Sequence, residues 1–75
     1  MSTLVLFGRR LAELRKMQGI SQEQLALMSG VARSYVSGVE RGKRNISLLN
    51  IVRLAETLGV GPEELLKFPL TSRDE

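Results

Sequence analysis

Between Ser21 and Gly42 the chain has room for two short helices and the turn between them. Ser21 is a natural N-cap, because its hydroxyl can accept from an orphaned backbone N–H of a first helical turn, and Gln24 completes a capping-box pattern with it. Leu25 and Met28 give that helix an apolar side, with Ala26 beside them. Gly30, which adopts positive φ without steric penalty, ends it. Val31, Val36 and Val39 then carry the apolar face of a second helix that stops before Gly42. Ala26 falls where the two helices must cross closely, so a large side chain there would push them apart.

This layout is a helix-turn-helix, an element that presents its second helix to the DNA major groove. The flanking chain supplies three more helices. Leu4, Phe7, Leu11 and Leu14 share one face and predict a helix from about Thr3 to Met17. Arg9, Arg10, Glu13 and Lys16 fall largely on its other faces, and Gly19 ends it. A polar loop from Gly42 to Asn45 follows the helix pair. Ser47 then caps a helix in which Leu48, Ile51, Val52, Ala55 and Leu58 recur at helical spacing, with Gly59 as its stop. Gly61 and Pro62 open a short last helix, Pro being favoured at a first helical position, and Leu65, Leu66, Phe68 and Leu70 follow. The expectation is an all-α, compact five-helix fold without strands. Residues 1–70 form one DNA-binding and dimerisation domain, and 71–75 a polar, frayed tail.

Seventy-five residues lie near the lower limit for a self-sufficient core, so dimerisation is the obvious extra support. The chain has no cysteine and no histidine, which removes disulfides, cysteine-ligated zinc, the commonest general base and the commonest metal ligand. It also lacks a phosphate-cradling glycine loop and clustered carboxylates. An enzyme would have nothing to work with, and neither a catalytic residue, a metal nor a cofactor is expected. No apolar run approaches bilayer length, which points to a soluble cytoplasmic protein with no membrane partner. Charge is uneven. Up to residue 53 there are nine Lys/Arg against three Glu; from 54 onward there are two against five Asp/Glu. A basic body suits a nucleic-acid face and leaves the acidic end for another role, although a solvated surface with accidental clustering has the same composition.

Ser21-Gln22-Glu23, Leu25-Ala26, Gly30-Val31, Val36-Ser37, Val39 to Gly42, Ser47-Leu48 and Leu54-Ala55 through Leu58-Gly59-Val60 together carry a resemblance. From Phe7 to Leu66 the chain resembles the phage repressor and Cro type of helix-turn-helix regulators, with their lambda-repressor-like fold. Within that family, the run from Arg33 to Ser47 looks like restriction–modification controller proteins. The resemblance implies a small homodimer without a ligand-sensing domain, binding inverted-repeat operators on double-stranded DNA, with its own promoter among its targets and RNA polymerase as a further candidate partner. A phage- or plasmid-type repressor or antitoxin is the runner-up. A protein-interaction adaptor that kept only the fold is the alternative from another class, and it would lack the basic and hydrogen-bonding residues of the second helix.

A recognition helix places its N-terminal residues nearest the base edges. Here these are Arg33, Ser34 and Tyr35. Arg33 is the first candidate for base readout, because guanidinium pairs bidentately with guanine. Ser34 could read a base edge or cap the helix. Tyr35, between polar neighbours, is expected to be exposed to DNA rather than to fill the core. The controller-like resemblance adds Arg44 to the expected base contacts. Gln22 matches a position that grips phosphate in the family, and Ser37, Arg41, Lys43 and Asn45 complete the expected backbone contacts. Ala32 departs from the Ser or Thr often found there, and alanine cannot cap. Glu40 would repel DNA if exposed; the family pattern pairs it structurally with Arg15. Val60, Leu65, Leu66, Phe68 and Leu70 are more apolar residues than so small a core needs, and the resemblance implies that they form a two-fold dimer interface.

Overall fold

The computed structural model describes residues 2–69, in which five helices follow one another: α1 (Thr3–Met17), α2 (Gln22–Ser29), α3 (Arg33–Glu40), α4 (Leu48–Leu58) and α5 (Pro62–Leu65). Leu70 and the expected tail at 71–75 lie outside the described residues. No strand occurs among the described residues. The described helices include none long and apolar enough to cross a membrane.

Serine hydroxyls open three of these helices. Ser2 Oγ accepts from the Val5 backbone N–H at 3.2 Å and Ser47 Oγ from that of Asn50 at 3.1 Å. At α2 the capping is reciprocal: Ser21 Oγ accepts from Gln24 N–H at 3.0 Å, and Gln24 Oε1 accepts from Ser21 N–H at 2.8 Å. Each cap satisfies a donor that the helix cannot pair internally. α3 starts at Ala32 in cap geometry but with no side-chain cap bond. Gly30 and Gly59 stand at φ 79° and 72°, left-handed conformations that a β-carbon would disfavour, and there α2 and α4 end.

The core is a single cluster drawn from every helix: Phe7, Leu11 and Leu14 of α1, Leu25 and Ala26 of α2, Val36 and Val39 of α3, Leu54, Ala55 and Leu58 of α4, and Leu65 of α5. Two expectations about its membership are corrected. Met28 is 60% exposed, and Ser29 occupies the inward place. Ser29 can do so because its hydroxyl donates to the Leu25 carbonyl at 2.6 Å and so buries no unpaired polar group. In α4 the inward stripe is Leu54, Ala55 and Leu58, with Ile51 half-buried, while Leu48 in the first turn is 73% exposed.

α1 lies across α3 at very short range because of Gly8. A β-carbon on Gly8 would overlap the carbonyl oxygens of Val39 and Glu40. Two residues further along α1, Arg10 ties that helix to α5: its Nε donates to the Glu64 carbonyl at 2.7 Å and an Nη to Glu64 Oε1 at 3.1 Å. Lys67 Nζ reaches the other carboxylate oxygen of Glu64 at 2.9 Å. This paired lysine first, and the Arg10 charge after it, hold the Glu64 carboxyl below its usual range against the opposing effect of burial.

Candidate nucleic-acid interface

α3 is amphipathic. Val36, Gly38 and Val39 are buried, whereas Arg33 and Ser34 at its start are exposed. Ser37 is half-buried. The loop after the helix keeps Arg41, Lys43, Arg44 and Asn45 exposed. Asn45 Oδ1 accepts from the Ile46 N–H at 2.8 Å, which orients the amide and leaves its N–H groups as donors.

Acidic charge is scarce here. Between Glu23 and Glu56 the chain carries one carboxylate, that of Glu40. Arg15 claims it: Arg15 Nε donates to Glu40 Oε2 at 2.7 Å and its Nη2 to Oε1 at 3.0 Å. The third edge of the guanidinium donates to the Ile20 carbonyl at 2.8 Å. Hydrogen bonding to Glu40, opposed by burial, raises the Arg15 pKa above its ordinary value, so the guanidinium stays charged. With Glu40 occupied, Arg33, Arg41, Lys43 and Arg44 have no ion-pair partner among the described residues. The result is a strip of uncompensated positive charge along α3 and its loop.

Gln22 stands at the first position of α2 and is half-buried. Its Nε2 donates to Glu40 Oε1 at 2.9 Å. One amide proton is thereby fixed, the other is left to donate, and the side chain joins the Arg15–Glu40 pair. Ile20, Arg15, Glu40 and Gln22 therefore form one polar network under the helix pair.

Tyr35 departs from expectation. It is half-buried and packs on the core cluster, because the helical period sets it beside Val36 and Val39. Its hydroxyl accepts from Asn50 Nδ2 at 3.1 Å. The Arg44 guanidinium lies over its ring, 5.2 Å from the centroid, within cation–π range. Nothing in the local sequence marks Asn50 for this role, since it acts from α4 across a long loop.

The expected apolar second surface divides. Leu65 is completely buried in the core of its own chain and has no surface to give an interface, which corrects its assignment there. Val60 and Phe68 are half-buried against the core, and Leu66 is 53% exposed. Leu70 lies outside the described residues. The sequence pattern did not single out Leu49, which is 78% exposed in the first turn of α4.

Comparison with known proteins agrees with this geometry. A helix-turn-helix family model matches residues 11–65. The control protein C.BamHI of Bacillus amyloliquefaciens is 43% identical over 65 residues, which cover 85% of this chain and 80% of that protein. The control protein C.MunI of a Mycoplasma species is 40% identical over 62 residues, 81% of this chain and 84% of its own. Among solved structures, the restriction–modification controller protein C.AhdI of Aeromonas hydrophila superposes with a TM-score of 0.81 at 61% identity, over 83% of this chain and 94% of that one.

Proposed function

The chain belongs to the helix-turn-helix family, and from that premise we propose that it is a sequence-specific DNA-binding transcriptional regulator, acting as a homodimeric control protein of a restriction–modification system. The observation that carries the DNA-binding reading is the cationic strip of Arg33, Arg41, Lys43 and Arg44, without ion-pair partners among the described residues, while Arg15 takes the one carboxylate between Glu23 and Glu56. Arg33 and Ser34, at the N-terminal end of α3, read base edges with Arg44 beside them, and Tyr35 contributes its ring edge. Gln22, Ser37, Arg41, Lys43 and Asn45 hold the sugar-phosphate backbone and set the register. Exposed Leu66, flanked by half-buried Val60 and Phe68, supports a dimer that spaces two such helices about one DNA turn apart on an inverted repeat.

A gel-shift titration against the DNA upstream of its own gene, with excess competitor, tests this reading. Two stepwise complexes that survive competition are the result expected of a self-regulating dimer with tandem sites. A single specific complex would reduce the proposal to a simpler repressor. Binding no tighter than to random DNA would overturn self-regulation.

A further inference from the structure

Arg44 does not extend freely from its loop. Its stem crosses α3 at Gly38, where a β-carbon would sit 2.5 Å from Arg44 Cγ, and its head rests on the ring of Tyr35. Tyr35 precedes Gly38 by one helical turn, so the guanidinium is carried about 4.5 Å back toward the N-terminus of α3, the end that holds Arg33. The ring is itself fixed from a third element: Asn50 of α4 donates to its hydroxyl at 3.1 Å. Stacking uses a face of the guanidinium and leaves its N–H edge unspent, and Arg44 has no hydrogen bond or ion pair among the described residues. A long side chain that would otherwise sample many rotamers thus waits in one arrangement, with its donors available.

We infer that Asn50 and Gly38 are positioning residues for base readout: Asn50 pins the Tyr35 ring, Gly38 leaves the lane, and together they hold Arg44 beside Arg33 as a second, pre-ordered reading group. This rests on the DNA-binding reading above. Asn50 needs no contact with DNA to exert its effect, which passes through Tyr35 to a particular base pair.

Selection from a random duplex library, sequenced for the wild type and for Arg44→Ala, Asn50→Ala and Gly38→Ala, tests this, with thermal melting of each variant alongside. Arg44→Ala is expected to erase the preference at one base position by about fivefold or more. Asn50→Ala and Gly38→Ala should flatten that same position and spare the positions read by Arg33. In an Arg44→Ala background, Asn50→Ala should change nothing further. Gly38→Ala should also leave melting unchanged or raised, since alanine suits a helix interior better than glycine, so lost preference cannot be put down to lost fold. If Asn50→Ala does not fold, Tyr35→Phe keeps the ring, removes the hydroxyl, and carries the same expectation. Unchanged preference at the Arg44 position in Asn50→Ala, or equal weakening at every position, would overturn the positioning role while the DNA reading stands. A wild type that enriches no sequence would overturn both.

Discussion

Arg15 and Glu40 meet side by side beneath the helix pair, with both carboxylate oxygens engaged at 2.7 and 3.0 Å. Their side chains are only 10% and 6% exposed, so each charge depends on the other, with Gln22 and the Ile20 carbonyl assisting, for what water would have supplied. Arg15→Ala is therefore expected to lower unfolding stability by about 3–5 kcal/mol, a large part of what a small domain has. Glu40→Gln, which keeps an acceptor for the guanidinium, should lose less. Urea unfolding of the three proteins measures this. A loss below about 1 kcal/mol for Arg15→Ala would put the pair among the weak surface contacts instead.

Gly8 allows α1 to touch the last turn of α3, and the sign of a single substitution tests that role. In an open helix interior, Gly→Ala stabilises by about 0.5–1 kcal/mol. At Gly8 the new methyl would meet two backbone carbonyl oxygens, which cannot rotate away as a side chain can. Gly8→Ala should instead destabilise by about 1–3 kcal/mol, the usual range for an overfilled contact. A stabilised variant in thermal or urea unfolding would show that α1 can slide without loss.

Glu64 offers a pH-dependent contact. Lys67 first, and Arg10 after it, holds its folded-state pKa below the unfolded value. A lowered pKa means that the ionised carboxylate contributes stability above the unfolded value, and that this contribution fades as pH falls through the folded one. Wild type should melt higher than Glu64→Gln at neutral pH, and the two should converge in acid once the carboxyl is protonated. A gap independent of pH would assign the difference to the geometry of the side chain and not its charge.

Local signals fixed the helices. Ser21, Ser47, Gly30, Gly59 and Pro62 each act within a turn of their own position, and the observed boundaries follow them. Burial was harder to read where the choice depended on a partner distant in sequence. Leu65 goes inward because α5 docks on α1 and α4, whereas Ser29 displaces Met28 for a local reason that hydropathy hides, its hydroxyl finding a carbonyl within its own helix. The cationic strip was legible as composition. The Asn50–Tyr35–Arg44 arrangement was not, because it joins α4, α3 and a loop through side-chain geometry that no periodicity encodes.

Three substitutions at the interface should separate three kinds of contact. Arg33 is exposed and without an ion-pair partner at the start of α3, the end that the proposed function sets against base edges. Arg33→Ala should cost about 1–3 kcal/mol of binding on a selected site and relax preference at one position, while binding to random duplex changes little. Gln22 is held by Glu40 and carries no charge, so Gln22→Ala should weaken selected and random DNA alike without altering the salt dependence. Lys43 is charged and exposed on the loop, and Lys43→Ala should also weaken both DNAs while reducing the salt slope by about 1. Titrations of each variant on both duplexes at several salt concentrations give the two observables needed. Equal losses on selected and random DNA for Arg33→Ala would move that arginine to the phosphate backbone. Base recognition would then fall to Ser34, Tyr35 and Arg44.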